Sequence, residues 1–197
     1  MPCVKNKGKA NATSPSDITK LFNFLRIKEN STFCDLGCGN AKLCIKSITR
    51  VKKAVGFECD AKRYQTAKKR AKKFSNIRIY KGSYETKNSL NKIRQVDVFF
   101  CVNEIDYKFL KKLGNVVKKR TYFIQYYLPS CPVKPQYKHG WYYIMKTPFR
   151  TAKTKNEWIT SLQNGDLINL KKKIRSYFKK DYKERIQDLE EELKANF

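Results

Sequence analysis

The sequence predicts an α/β fold: a doubly wound, mostly parallel sheet followed by a helical C-terminal extension. Three observations carry this. Short apolar runs alternate with helix-patterned segments from residue 14 to about 128, the order that βαβ units produce. The run Val96-Asp97-Val98-Phe99-Phe100-Cys101-Val102 is apolar almost throughout, as a strand covered on both faces must be. A third run, Thr32 to Leu36, leads straight into Gly37-Cys38-Gly39, a sharp strand-to-helix turn of the kind that faces ligands in such sheets.

The elements follow in order. Residues 1–13 are polar and read as a frayed tail. Ser14-Pro15-Ser16-Asp17 reads as a helix start: Ser14 caps, Pro15 takes the first helical position, and Asp17 has capping-box spacing. Ile18, Leu21, Phe22, Phe24 and Leu25 follow at helical spacing, and Glu29-Asn30-Ser31 closes the element in a turn. After the strand at Thr32–Leu36 comes a helix over about 42–50, carrying Leu43, Ile45 and Ile48. Ala54 to Glu58 is a second strand, about 61–74 a strongly basic helix, and Asn76 to Tyr80 a third strand. A short helix over 88–93, the fourth strand at 96–102, a helix over about 105–117 and a fifth strand over 121–127 complete the repeat, with right-handed crossovers. Pro129, Pro132 and Pro135 then break regular structure. Gly140 to Met145 is an aromatic strand for the sheet edge. From about 156 the chain reads as helical, with basic Lys171-Lys172-Lys173, acidic Glu190-Glu191-Glu192, and Leu189 and Leu193 on one face. The expected division is a tail at 1–13, a catalytic domain at 14–150 and a basic helical extension at 151–197.

Composition narrows the function. With 197 residues the chain is sized for one domain, and with 41% hydrophobic residues it can form a core. No run has the roughly 18 uncharged apolar residues of a membrane span, and the polar start after Met1 does not read as a secretory signal. Lys plus Arg total 44 against 17 acids, a net charge of +27 that attracts polyanions, so nucleic acid is a candidate partner. The plainer explanation of that charge is lysine filling solvated helix faces. The seven cysteines include no CxxC pair, and His139 is the single histidine, so no set has the spacing of a structural zinc site and no metal is expected. The odd cysteine count and the missing signal point to a reduced, cytoplasmic protein whose cysteines are small core residues. A monomer is expected.

One constellation carries chemistry. Gly37 and Gly39 sit where the backbone turns sharply and a ligand can come close to the main chain. The helix that follows aims its first N–H groups at the same place. Glu58 ends the next strand, and a carboxylate there offers two acceptor oxygens to the hydroxyls of a ribose. A pyrophosphate binder would carry a third glycine, and Gly37-Cys38-Gly39-Asn40-Ala41-Lys42-Leu43 has none, so an adenosine-type ligand without pyrophosphate is expected.

Phe33-Cys34-Asp35-Leu36-Gly37-Cys38-Gly39 resembles the first motif of class I S-adenosylmethionine-dependent methyltransferases, and Val55-Gly56-Phe57-Glu58-Cys59-Asp60 resembles their second-strand acidic motif. The resemblance covers about residues 14–128 and implies a Rossmann-like fold with S-adenosyl-L-methionine as cofactor. It implies that Asp35 orients the glycine loop and the methionine end and that Glu58 holds the ribose; Gly37, Cys38, Gly39 and Ser83 are the other expected cofactor-binding residues, Ser83 standing where an acid often meets the adenine. The helix start at Ser14-Pro15 and the segments Leu128-Pro129 and Trp141-Tyr142-Tyr143 are similar to small archaeal protein-lysine methyltransferases and their mitochondrial relatives. The chain departs from that pattern at Asn40-Ala41, at Ser83 and at Gln125-Tyr126-Tyr127. The expected function is therefore methyl transfer to protein lysine, with Asn103, Glu104 and Tyr127, at the ends of strands four and five, facing the substrate. Asn103 is also a good helix cap.

Two alternatives stay open: an RNA methyltransferase, and a non-catalytic scaffold of the same fold. Base-amino methyltransferases usually carry an Asn/Asp-Pro-Pro-aromatic tetrad after strand four, where this chain has Val102-Asn103-Glu104-Ile105. A cytosine-C5 enzyme presents a cysteine nucleophile there; Cys131-Pro132 follows strand five instead, and Cys101 lies inside strand four and reads as core. Lys68-Lys69-Arg70-Ala71-Lys72-Lys73 and Lys171-Lys172-Lys173 can contact phosphates, although aromatics are not interleaved with either, Tyr177 and Phe178 coming nearest.

Overall fold

The computed structural model describes residues 13–103, 105–126 and 132–163. The first twelve residues, Glu104, Tyr127, Leu128, Pro129, Cys131 and the C-terminal basic, acidic and leucine-bearing segments expected above lie outside the described residues.

The described chain runs α1 (Pro15–Leu25), β1 (Thr32–Leu36), α2 (Lys42–Ser47), β2 (Lys53–Glu58), α3 (Ala61–Ala71), β3 (Ile77–Lys81), α4 (Lys87–Lys92), β4 (Val98–Cys101), α5 (Tyr107–Val116), β5 (Tyr122–Gln125), β6 (Val133–Lys134), β7 (Tyr137–His139), β8 (Tyr142–Lys146), β9 (Arg150–Thr151) and α6 (Lys155–Gln163). The main sheet has the order β3-β2-β1-β4-β5-β8-β7. Its first five strands are parallel, while β8 runs antiparallel to β5 and β7 antiparallel to β8. The order reverses between β1 and β4, so a crevice opens outside the carboxyl ends of those two strands. This is the doubly wound, Rossmann-like sheet that the alternation of elements predicts.

Both faces of the sheet are covered. One core layer joins Ile18, Leu21 and Phe22 of α1, Leu43 and Cys44 of α2, and Ala67 and Ala71 of α3 to Phe33, Val98 and Ile124 of the strands. The other joins Leu90, Phe109, Leu110 and Leu113 of α4 and α5 to Leu36, Phe57, Phe99 and Phe123. Alternate residues of the buried strands serve the two layers, which is why these strands read as continuous apolar runs. A two-stranded ladder of β6 and β9 lies apart from this sheet. There α6 buries Trp158, whose indole N–H donates to the Val133 carbonyl at 3.0 Å.

Three local features depart from the expectations. α1 stops at Leu25, earlier than the turn at residues 29–31. Arg26 takes the left-handed conformation (φ 51°), its N–H returns to Asn23, and the Ile27 N–H returns to the Phe22 carbonyl at 2.9 Å, which together form a Schellman closure. Asp17 does not complete a capping box, because its carboxylate accepts the Tyr142 hydroxyl at 3.0 Å. Ser14 caps the helix, its Oγ accepting from the Ser16 N–H at 3.3 Å. Finally, the sheet edge is β7, with the aromatic strand β8 one place inside it.

Candidate active site

The turn after β1 is built by backbone conformation. Gly37 (φ 90°) and Gly39 (φ 55°) both occupy the left-handed region that other residues avoid. The Gly37 and Cys38 N–H groups both donate to the Phe57 carbonyl, at 2.9 and 2.8 Å, which ties the turn to the end of β2. A Cβ added at Gly37 or Gly39 would meet nothing within 4 Å, so the turn borders open space above the sheet. Ala41 (φ 63°) enters α2 in the same strained region without a side-chain cap.

Glu58 closes this cradle. One carboxylate oxygen accepts the Gly39 N–H at 2.8 Å and the other accepts the Asp60 N–H at 2.9 Å. A carboxylate has about four lone-pair positions. Two therefore fix the loop and two remain for a ligand, a double role that strand-end placement alone did not reveal. Asp60 turns away to cap α3, accepting from the Arg63 N–H at 2.8 Å. Next to Glu58, the Gly82 N–H donates to the Glu58 carbonyl at 2.9 Å, and Gly82 (φ 113°) is also open where its Cβ would stand. Ser83 follows it, with its Oγ accepting from the Glu85 N–H at 3.1 Å.

Asp35 lies beneath the turn and is 4% exposed. Burial first, and the Glu58 charge second, push its carboxyl up to about 7. The structure thus brings Asp35, Gly37, Cys38, Gly39, Glu58 and Ser83 to one end of β1, β2 and β3. Cys38 contributes packing rather than a polar group: a Cβ at Gly56 would lie 2.7 Å from its Sγ. Gly56 is the residue that sequence reasoning missed. A glycine inside a strand was the available signal, since it marks close approach of another chain segment.

Asn103 stands exposed just past β4. It is not the cap of the next helix. That role belongs to Asp106, which accepts from the Lys108 N–H at 2.8 Å. Glu104 and Tyr127, the other two expected substrate-facing residues, lie outside the described residues. Cys101 is fully buried, donates to the Leu36 carbonyl at 3.4 Å, and has its thiol pushed up to about 12 by burial, so it is no nucleophile. Cys34, Cys38 and Cys44 are buried free thiols, as expected of core cysteines. Cys59 departs from the all-reduced expectation, for it is disulfide-bonded. Among the described residues no helix is long and apolar enough to cross a membrane.

Beside the end of β4, the Tyr126 N–H donates to the Cys101 carbonyl at 3.1 Å. Its ring meets that of Tyr142 edge-on at 5.3 Å, and Tyr142 in turn donates to Asp17. Burial, and next the hydrogen bond to Asp17, hold the Tyr142 phenol well above its ordinary range.

The site fits a nucleoside with a charged sulfur. The open space over Gly37, Gly39 and Gly82 admits such a molecule against the backbone, Glu58 has acceptor capacity for two ribose hydroxyls, and Asp35 supplies a carboxylate beneath the turn. The family described as "Methyltransferase domain" matches residues 27–166. No curated protein matches the chain. Among solved structures, the chain is similar to an RNA methyltransferase from Salinibacter ruber in complex with S-adenosyl-L-homocysteine, with 17% identity, a TM-score of 0.59, and coverage of 73% of this chain and 97% of that one. It is also similar to precorrin-6y C5,15-methyltransferase from Geobacter metallireducens, with 14% identity, a TM-score of 0.50, and coverage of 60% and 64%. At these identities the neighbours establish the fold and say nothing of the acceptor. The match over most of the chain, on a doubly wound sheet with an open glycine turn and a strand-end glutamate, places this protein in the methyltransferase domain family as an S-adenosyl-L-methionine-dependent enzyme.

Proposed function

We propose that the methyl acceptor is the ε-amino group of lysine side chains in proteins. The observation that carries this reading is the Asp17–Tyr142–Tyr126 group beside the end of β4. A carboxylate and two tyrosine rings attract an alkylammonium and accept it on their faces. Partial burial among those rings lowers the pKa of the entering amine, which must be neutral to attack. The Tyr142 phenol keeps its proton, so it orients Asp17 and does not act as a base. The cofactor supplies a methyl group already activated on a sulfonium. The protein's part is to hold a neutral nitrogen in line and exclude water. As the nitrogen–carbon bond forms and the carbon–sulfur bond breaks, the nitrogen gives its remaining extra proton to solvent.

The test is transfer of labelled methyl from S-adenosylmethionine to a cell lysate, treated afterwards with protease or ribonuclease. Label that survives ribonuclease, vanishes with protease and appears as methyl-lysine on hydrolysis supports the reading. Label lost to ribonuclease refutes it. Asp17→Asn should lower kcat/KM for the protein acceptor by about tenfold, the value of one charged contact, with cofactor affinity unchanged.

A further inference from the structure

One surface is not explained by methyl transfer. Residues 61–94 hold twelve Lys and Arg and a single acid, Glu85, which puts +11 of the chain's +27 into 34 of its 197 residues. They build the β3 edge of the sheet. α3 covers one face beside that edge, and α4 follows β3 on the other face. All of the twelve cations except Arg70 are exposed. Among the described residues, none is in an ion pair, and Lys92, over the Tyr80 ring at 4.3 Å, is the one with an aromatic partner.

This distribution does not serve the helix. Lys68, Lys69 and Arg70 in the last turn of α3 suit the negative end of its dipole. Lys62 and Arg63 stand in the first turn, where the dipole opposes them, and no acid is present there. Lys68 in the last turn and Lys72 at the C-cap are like charges four apart, which repel across the end of the helix. Asp60, at the start of α3, accepts the Arg63 N–H and lies beside Lys62 and Arg63, but it is one acid against the five cations of α3. An external polyanion would relieve this repulsion.

We propose that the α3–β3 edge is a docking surface for the phosphate backbone of a nucleic acid. α3 is about 16 Å long at 1.5 Å per residue, which matches about five phosphates of one duplex strand at 3.4 Å each. The surface is distinct from the acceptor opening. β3 is three strands from β4, roughly 14 Å at ordinary strand spacing. A nucleic acid held there leaves the end of β4 free, so the enzyme acts while anchored beside nucleic-acid-bound protein. The surface contacts charge rather than bases, so binding is insensitive to sequence and sensitive to salt.

The test is fluorescence anisotropy of a labelled 24-nucleotide RNA and a labelled 24-base-pair DNA of arbitrary sequence, from about 50 to 300 mM salt. Two variants remove the same charge. One is Lys68→Gln/Lys69→Gln/Lys72→Gln/Lys73→Gln on the proposed surface. The other is Lys108→Gln/Lys111→Gln/Lys112→Gln/Lys119→Gln, on and after α5. Calorimetric binding of S-adenosylmethionine confirms that both fold. The first variant should bind at least about tenfold more weakly and flatten the slope of log affinity against log salt by about 2–3, while the second stays within about threefold. The RNA and DNA arms report which nucleic acid docks. Equal losses in the two variants would make the binding a property of net charge and overturn the proposal. Equal affinity for a labelled polyglutamate of matched charge would assign the surface to an acidic protein and overturn it as well.

Discussion

Replacing Asp35 by Asn should remove one source of pH-dependent stability in the free protein. Asp35 is buried under the glycine turn with its carboxyl raised from 3.8 to about 7. Below pH 3.8 both the folded and unfolded chains hold the proton. Between 3.8 and about 7 the unfolded chain has released it and the folded chain has not, so stability falls as pH rises. Above about 7 both are ionised and the loss levels off at about 4 kcal/mol, from about three pK units at 1.36 kcal/mol each. From pH 5 to pH 8 the wild type should therefore lose about 3 kcal/mol relative to Asp35→Asn, whose amide fills similar space without ionising. Urea unfolding of both proteins at pH 5, 6, 7 and 8 measures this. Parallel stability curves would refute the argument, since they would mean that Asp35 ionises as freely in the fold as out of it. A bound sulfonium favours the ionised carboxylate, so wild-type affinity for S-adenosylmethionine should also rise between pH 6 and 8, and in Asp35→Asn that rise should be absent.

Other changes probe separate parts of the account. Glu58→Ala removes two loop hydrogen bonds and the free acceptor positions together; cofactor affinity should drop by about tenfold or more in a calorimetric titration. Gly56→Ala sets a methyl 2.7 Å from the Cys38 Sγ and 2.9 Å from the Ile79 Cδ1, and by overpacking should cost about 1–3 kcal/mol in urea unfolding while weakening cofactor binding through the displaced turn. Trp158→Ala should cost about 3–5 kcal/mol, as expected when a fully buried indole is cut back; a loss under 1 kcal/mol would show that α6 is not packed on the core. Tyr142→Phe should cost about 1–2 kcal/mol through the lost bond to Asp17, measured the same way.

The parts of the fold that were legible in sequence are those where one residue type has one physical reason to be present. Gly37 and Gly39 adopt conformations other residues avoid, so the turn announced itself. The strands covered on both faces could be read as apolar runs. The end of α1 was not legible, because Arg26 takes a left-handed position usually held by glycine. β7 was not legible either: Tyr-Lys-His after a proline is short and polar, and pairing with β8 makes it a strand. Within the site, Asp35 and Glu58 could be placed from strand ends. The reach of Tyr142 to Asp17 spans 125 positions, and no local pattern encodes a contact of that range. The same holds for Cys38 against Gly56, where the meaning of the glycine depends on a neighbour that only the folded sheet supplies.

The most direct test of the whole reading is an isothermal titration of S-adenosylmethionine into the wild-type chain and into Gly39→Val, which places a branched side chain in the open, left-handed position of the cradle. The wild type should bind one molecule per chain, and the variant, whose side chain both strains the turn and fills the cradle, should lose that binding by at least about tenfold, more than 1.4 kcal/mol. Absence of binding to the wild type, or equal affinity in the two proteins, would contradict it.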